Sequence, residues 1–206
     1  MAEKRRKDFE EAKRLCLSRA DLSRKGSIDE PIRPLVNLFN QSDHFYTTST
    51  CSGRISLVVK PQDNAAIKKG GDFLMNSHES ISFEHFKLAI DGFITEEKSL
   101  QTCLWLKFEP FIMHIQCIDL EKANSLLQIA IASGCRNSGL TIGKKKKYLV
   151  AIRSTSSMEV PLACEGSFKN LRDDYLEFLC MQCCRRMEDN FSRMSKFQTM
   201  VEPLLT

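Results

Sequence analysis

The stretch from Thr47 to Val59 places the strongest constraint on how this chain folds. It reads TTSTCSGRISLVV: four consecutive hydroxyl side chains, then Cys-Ser-Gly-Arg, then a β-branched apolar run. Such a run is typical of a buried strand. Gly53 allows another molecule to approach the backbone closely, and the planar guanidinium of Arg54 suits a carboxylate or phosphate. The stretch predicts either an anion site at the entrance of a buried strand or a polar strand edge followed by a tight bend.

Size and composition indicate a globular protein of ordinary kind. The 206 residues, 42% hydrophobic and 27% charged, suffice for one domain with a real core, or at most two small ones. A net charge of +4 does not by itself indicate a nucleic-acid partner. No apolar run approaches the roughly 18 residues of a membrane span, and MAEKRRKDFEEAKR is not a signal peptide. Nine irregularly spaced cysteines predict reduced thiols and a cytoplasmic or nuclear location.

Periodicity and capping signals predict the order of the elements. Helices are expected at 4–20, from Pro31 to about Asn40, from Ser82 to about Ile90, from Asp119 to a stop at Gly134, and after Asn170. Strands are expected at 47–59 and 73–78, which form a hairpin with a long tip, at 104–117, in a second hairpin over 135–143 and 147–155, and at MEVPL. Pro110 within the third strand predicts an edge position or a bulge. The buried face of the final helix is predicted to carry Leu171, Tyr175, Phe178, Leu179, Met187, Phe191 and Met194.

The predicted fold class is α/β (α+β): a single domain, 1–206, with a mixed sheet of six or seven strands and packed helices. It is not a doubly wound Rossmann-type fold, because no G-x-G-x-x-G follows a strand. Two Cys, Ser, Gly and Arg clusters each precede an apolar strand. They indicate an internal duplication with halves 26–120 and 121–206.

Several catalytic and metal sites are excluded or disfavoured by spacing. The segment 134–141 nearly matches a phosphate-binding loop, but Leu140 stands where the lysine belongs, which excludes a nucleoside triphosphatase. Cys51 and Arg54 lie too close together for a phosphatase loop. Cys180 and Cys183 form a C-x-x-C pair with no second pair at zinc spacing, so the sequence predicts small apolar helix residues and no metal site.

Two cationic features remain as candidates for binding anions. Arg–Ser pairings recur at 52–54, 136–138 and 153–154, and the interpretation that they form one pocket competes with ordinary surface solvation of each. The run Lys144, Lys145, Lys146 and Lys147 is either a solvated hairpin tip or a contact with a phosphate backbone.

Four ordered motifs, TTSTCSGR, LKFEPFIMH, SGCRNSG and AIRSTSSMEVPL, closely resemble those of the wybutosine-synthesis methyltransferases that perform the third step of the tRNA pathway. The resemblance runs from ADLSRKGSIDE to the final helix. It implies methyl transfer from S-adenosyl-L-methionine to N4 of the tricyclic base at position 37 of phenylalanine tRNA, which already bears an aminocarboxypropyl arm. This chain departs from the family at Thr50, usually a serine, and at Phe73, commonly a tryptophan.

The resemblance also implies roles for individual residues. The catalytic candidates are His114, His78 and Glu109, with His114 or His78 as the base that removes a proton from the accepting nitrogen. Arginines hold the amino-carboxylate groups of cofactor and substrate, and Glu109 or Glu159 faces an ammonium group. The cofactor-binding set is Ser49, Ser52, Gly53, Arg54, Arg136, Asn137, Ser138 and Gly139. The substrate- and RNA-binding set is Arg153, Ser154, Glu159, Lys144, Lys145, Lys146 and Lys147.

The expected protein is therefore a monomeric, cytoplasmic enzyme that binds S-adenosyl-L-methionine and the anticodon loop of phenylalanine tRNA, without a membrane anchor. Arg54, Arg136 and Arg153 are expected to line one cleft. The alternatives are a non-catalytic tRNA-binding scaffold that uses the same basic surface and a cysteine-dependent hydrolase that uses Cys51.

Overall fold

Six strands form one sheet in the order β2-β1-β3-β5-β4, with β6 also paired to β3. The computed structural model describes residues 2–19, 26–61, 71–164, 167 and 171–205. The strands are β1 Phe45–Pro61, β2 Asp72–Ser77, β3 Thr102–Cys117, β4 Gly139–Gly143, β5 Lys147–Arg153 and β6 Met158–Cys164. The helices are α1 Ala2–Leu17, α2 Arg33–Gln41, α3 Phe83–Ile94, α4 Leu120–Ala132 and α5 Asp173–Leu205. The predicted α+β class, without Rossmann order, is confirmed.

The first predicted hairpin is confirmed as the antiparallel pair β1 and β2, with Ile55 opposite Ser77 and Val59 opposite Asp72. Strand β1 extends beyond the predicted 47–59 at both ends. The predicted tip of this hairpin falls at 62–70, outside the described residues. The second hairpin, β4 with β5, is also confirmed, and Gly139 pairs with Ala151.

Strand β3 carries two partners on one side, and Pro110 lies between them. It pairs with β6 from Cys103 to Phe108 and with β5 from Ile112 to Cys117. The missing N–H of proline therefore falls where neither ladder requires a donor. An edge position, one of the two predicted explanations for Pro110, is wrong. The buried side chains change phase here, from 104, 106 and 108 to 111, 113 and 115, as an extra residue in a strand would cause.

Predicted helix boundaries agree with the capping geometry. The Ser82 side chain accepts a hydrogen bond from the backbone N–H of His85, and that of Asp119 accepts one from Lys122. Gly134, with φ of +100°, follows α4 in the left-handed conformation that glycine adopts without strain. Asn170, the predicted cap of α5, lies outside the described residues.

The chain clusters into two compact units built from interleaved segments. Unit 1 comprises 1–52, 111–155 and 191–206, and unit 2 comprises 53–110 and 156–190. These units do not coincide with the halves 26–120 and 121–206, whose duplication stays a prediction. The core of unit 1 includes Phe39, which packs edge-on against Phe45 and stacks with Phe197 at 6.2 Å between ring centroids.

Unit 2 has its own core of apolar residues from α3, the first part of α5 and the inner face of its strands. Along α5 the buried stripe runs through Leu176, Leu179, Cys180, Cys183 and Met187, at helical spacing. The prediction that Tyr175 and Phe178 belong to this stripe is wrong. Each comes one position before a residue of the buried stripe, and the two side chains are 44% and 49% exposed.

The cysteines differ in state. The structure joins Cys103 and Cys164, register partners on β3 and β6, in a disulfide, so the prediction of reduced thiols is wrong for this pair. Cys180 and Cys183 pack in the helix stripe as the sequence analysis expected, and burial raises the pKa of each thiol to about 12. Among the described residues, no helix is long and apolar enough to cross a membrane.

Candidate active site

In unit 1, two hydrogen bonds tie the turn after α4 to the end of β5. The hydroxyl of Ser138 accepts from the backbone N–H of Arg153 at 3.0 Å, and the N–H of Asn137 donates to the carbonyl of Arg153 at 3.2 Å. The same hydroxyl donates to the carbonyl of Cys135 at 2.7 Å within the turn. The SGCRNSG motif and the IRS motif, two of the three Arg–Ser pairings predicted to share a pocket, therefore lie together.

The side chain of Arg153 meets His114 on the neighbouring strand. Its Nη2 lies 3.1 Å from Nε2 of the imidazole, diagonally across the β3–β5 ladder, in which Arg153 pairs with Ile112 and His114 with Ala151. Because a guanidinium only donates, Nε2 accepts and the ring proton resides on Nδ1. Burial and the charge of Arg153 lower the pKa of His114 below its usual range, so the imidazole is neutral at pH 7. Neutral histidine is the form that can accept a proton.

A residue that the sequence analysis missed braces this cluster. Arg193, partly buried on α5, donates through Nη1 to the carbonyl of Gly134 at 3.1 Å and to the hydroxyl of Ser154 at 3.0 Å. The one sequence signal that could have identified Arg193 is its place between Phe191 and Met194, two apolar residues of the final helix. We call Arg193, Gly134, Ser138, Arg153, Ser154 and His114 the His114 cluster.

Asp29 is a second residue with an unpredicted function. It is only 8% exposed, and its Oδ2 accepts hydrogen bonds from the backbone N–H and the hydroxyl of Ser52. Its side chain does not cap the helical turn that follows it. Asp29 and Ser52 instead fix β1 inside unit 1, just before the glycine of the Cys-Ser-Gly-Arg sequence.

In unit 2, Arg54 forms an ion pair with Glu109. Arg54 Nε lies 2.6 Å from Glu109 Oε2, and 33% and 47% of the two side chains is exposed. The guanidinium also lies over the ring of Phe73, 5.3 Å from its centroid. Phe73, the residue that departs from the family's tryptophan, thus supports the arginine of the first motif.

His78 is held by the backbone of Gly53. Its Nδ1 lies 2.7 Å from the Gly53 carbonyl oxygen, so Nδ1 carries the proton and donates. Gly53 itself has φ of +98° within a strand, a conformation that disfavours any residue with a Cβ. The glycine is therefore explained by its backbone conformation as well as by the close approach that its size permits.

A third group of charges lies on β1, β3 and β6 of unit 2. The ammonium groups of Lys60 and Lys107 both contact Oε1 of Glu159, at 2.9 and 2.7 Å. Lys60 also lies over the ring of Trp105, with Nζ 4.8 Å from the centroid. The hydrogen bonds from Lys107 and Lys60 lower the pKa of Glu159. We call Lys60, Lys107, Glu159 and Trp105 the Glu159 cluster.

The remaining predicted residues are surface groups or turn residues. Ser49, Arg136, Asn137 and Gly139 are exposed, on β1 and around the turn before β4. Lys144 to Lys146 form a single helical turn between β4 and β5, in which Lys146 has φ of +56°, and Lys147 begins β5. That Arg54 shares a cleft with Arg136 and Arg153 stays a prediction.

An open cavity of about 670 Å³ lies in unit 2 at the start of α5. Its walls are Pro161, Leu162, Leu171, Arg172, Asp174, Tyr175 and Phe178. None of the residues predicted to be catalytic or to bind cofactor lines it.

The side chains of the predicted site fit the amino-carboxylate end of S-adenosyl-L-methionine. Arg136 and Arg153 are exposed cations beside a turn rich in N–H and hydroxyl groups, the donor set that a carboxylate requires. In unit 2, Glu109 and Glu159 are carboxylates, the group that matches an ammonium. The class is a non-Rossmann α+β protein whose unit 1 sets exposed arginines beside a histidine that is neutral at pH 7.

Comparison with known proteins identifies the family. The model of the family Methyltransferase TYW3 matches residues 6–203, so the chain belongs to that family. It is 39% identical to the human tRNA wybutosine-synthesizing protein 3 homolog over 200 residues, which cover 96% of this chain and 74% of that protein. It is 38% identical to the zebrafish (Danio rerio) homolog over 198 residues, with 96% and 76% covered. The tRNA wybutosine-synthesizing protein 2/3/4 of Arabidopsis thaliana is 35% identical over 92% of this chain and 20% of its own length.

Solved structures share the fold. The PH1069 protein of Pyrococcus horikoshii superimposes with a TM-score of 0.81 at 27% identity, covering 97% of this chain and 96% of that chain. A hypothetical protein from Aeropyrum pernix gives a TM-score of 0.70 at 25% identity, covering 86% and 99%.

Proposed function

We propose that this chain is an S-adenosyl-L-methionine-dependent tRNA methyltransferase of wybutosine biosynthesis. Its substrate is the 7-aminocarboxypropyl-demethylwyosine base at position 37 of phenylalanine tRNA, and it methylates N4 of that base. The single observation that carries the proposal is the family match over residues 6–203. The names of the human and zebrafish relatives, which specify tRNA wybutosine synthesis, support it.

The residues of the His114 cluster have the chemistry that this reaction requires. When bound, S-adenosyl-L-methionine supplies an electrophilic methyl group. Alignment of donor and acceptor dominates such a displacement, so rigid positioning matters more than acid catalysis. Arg153 and Arg136 bind the carboxylate of one of the two amino-carboxylate ligands. His114, neutral and partly buried, accepts the proton lost by the ring nitrogen.

The RNA is held by cationic groups outside the base pocket. The exposed turn of Lys144 and Lys146, with Lys147, contacts phosphates of the anticodon loop, and the target base is presented unstacked. The protein acts as a monomer in the cytoplasm under this proposal.

The test is incubation of the purified protein with methyl-labelled S-adenosyl-L-methionine and tRNA from cells that lack this step. Label is expected in phenylalanine tRNA at position 37, and mass spectrometry of nucleosides should show one added methyl group on the tricyclic base. Binding of the tRNA without label transfer would instead establish the alternative, a non-catalytic tRNA-binding scaffold.

Two further measurements distinguish the proposed methyltransferase from its two rivals. S-adenosylhomocysteine is expected to raise the melting temperature, whereas a scaffold that does not bind the cofactor shows no shift. Replacement of Cys51 by Ser is expected to leave methyl transfer intact. Loss of activity in that variant, together with inactivation of the parent by alkylating agents, would favour the cysteine-dependent hydrolase.

A further inference from the structure

We propose that the Glu159 cluster, together with Arg54 and Glu109, is a binding subsite for an α-amino-carboxylate zwitterion. The inference rests on the proposed function, which supplies two ligands with this group: the methionine end of the cofactor and the aminocarboxypropyl arm of the base. It assigns binding roles to Lys60, Lys107 and Trp105, residues that are absent from the predicted catalytic, cofactor-binding and RNA-binding sets.

The alternation of side chains along the strands places these residues on one face of the part of the sheet that belongs to unit 2. Side chains alternate along a strand, and Ile55, Leu57, Leu104 and Leu106 fill the opposite, buried face. Arg54 and Lys60 therefore share a face of β1, and Trp105, Lys107 and Glu109 share the corresponding face of β3. Glu159 is the register partner of Lys107 on β6.

The electrostatics link the two groups of charges. Burial alone would lower the pKa of Lys60, but hydrogen bonding to Glu159, contact with Lys107 and the charges of Glu159 and Glu109 raise it above its usual value. Glu109 is therefore close enough to act on Lys60. Lys60 and Lys107 place two positive charges on the single carboxylate of Glu159.

This charge pattern matches a zwitterion better than a simple anion. Both lysines contact a single oxygen of Glu159, and only 20% of each lysine side chain is exposed. Glu159 takes one donor of each ammonium group, and an ammonium group has three, so both lysines have further donors to offer a ligand. A ligand carboxylate would accept hydrogen bonds from both lysines, and Glu159 or Glu109 would accept hydrogen bonds from the ligand ammonium. The indole of Trp105 provides the flat apolar wall for the adjoining methylenes.

The experiment compares two ligands that differ only at the group in question. S-adenosylhomocysteine and 5′-methylthioadenosine share the adenosine and the sulfur, but only the first carries the amino-carboxylate. If the subsite holds the methionine end of the cofactor, calorimetric titration of Lys60→Met and Lys107→Met should show affinity for S-adenosylhomocysteine reduced about tenfold, a typical loss for one charge-assisted hydrogen bond, with 5′-methylthioadenosine unaffected. Lys87→Met is the matched control, because Lys87 is also ion-paired and 28% exposed but lies on α3.

A second arm distinguishes the source of the zwitterion. Phenylalanine tRNA with the aminocarboxypropyl arm is compared with tRNA that lacks it, in the same variants. If the subsite holds the arm, the parent prefers the arm-bearing tRNA and the two lysine variants lose that preference while their affinity for the cofactor product is unchanged.

The proposal is overturned if both lysine variants match Lys87→Met in every one of these titrations while retaining the parent's melting temperature. These readouts do not depend on turnover. Absence of methyl transfer by the unaltered protein would overturn the proposed function and leave the zwitterion titrations as a separate result.

Discussion

At the scale of single residues, the contact between Arg153 and His114 makes a measurable prediction about protonation. Burial and the arginine charge both favour the neutral imidazole, so the folded-state pKa of His114 lies below its unfolded value of about 6.5. Neutral His114 therefore contributes fully to stability above about pH 6.5, and this contribution is lost as the pH falls through the folded-state pKa.

Replacing Arg153 with Met removes one of the two causes, and the pKa of His114 should rise. Titration of the imidazole C2 proton by NMR measures the shift directly, and Arg136→Met serves as the control because Arg136 is exposed on the neighbouring turn. An unchanged or lower pKa in Arg153→Met would show that the arginine does not act on the histidine in solution.

Arg54→Ala should abolish methyl transfer without unfolding the protein. The ion pair with Glu109 is partly exposed, and such pairs contribute at most about 1 kcal/mol, so the melting temperature should move by only a few degrees. Loss of a positioned donor typically lowers kcat by about 100-fold or more. Retained activity in a folded Arg54→Ala protein would remove this arginine from the mechanism.

At the scale of elements, the turn that joins α4 to β4 depends on a distant helix. Arg193 on α5 hydrogen-bonds the carbonyl of Gly134 and the hydroxyl of Ser154, and neither contact is local in sequence. Arg193→Met should lower the free energy of unfolding by about 2 kcal/mol, because a charged donor is lost from two partly buried acceptors. It should also speed amide exchange over 134–138.

Arg185→Met is the matched control for that measurement, since Arg185 is exposed on the same helix. Its unfolding free energy should lie within about 0.5 kcal/mol of the parent. Equal effects of the two substitutions in denaturant titrations would mean that Arg193 does not brace the turn.

Two glycines should respond in opposite directions to alanine. Gly134 has φ of +100°, so Gly134→Ala should destabilise by about 1–2 kcal/mol although the new Cβ would only approach Arg193 at ordinary contact distance. Gly92 lies within α3 with open space around its Cβ position, and Gly92→Ala should stabilise by about 0.5–1 kcal/mol. Thermal unfolding of both proteins tests the backbone conformation of the turn. A Gly134→Ala protein as stable as the parent would contradict that conformation.

At the scale of the whole molecule, RNA affinity should depend on salt through the lysine turn. Lys146→Ala with Lys147→Ala removes two exposed cations, which should lower the slope of log affinity against log salt by about 1.5. Lys4→Ala with Lys7→Ala makes the same change of charge on α1, where we expect no phosphate contact. Filter binding of phenylalanine tRNA at several salt concentrations measures both slopes, and equal reductions in the two variants would make the effect one of net charge alone.

Much of the fold could be predicted because its signals are local. The caps at Ser82 and Asp119, the stop at Gly134 and both hairpins follow from neighbouring residues, and the structure confirms them. The contacts of Arg193 and Asp29 could not be predicted, because each residue binds another more than 20 positions away and single-sequence patterns carry no such pairing. Tyr175 and Phe178 were misassigned because helical periodicity does not distinguish the buried stripe from the row beside it.

The hydrogen bond between Arg153 and His114 also implies an order of events. As long as the guanidinium donates to Nε2, that nitrogen has no lone pair to offer, and the imidazole cannot collect a proton there. An incoming anion that draws Arg153 away would release Nε2 at the moment the ligand arrives. Under the proposed function, His114 would therefore accept a proton only after the ligand has bound.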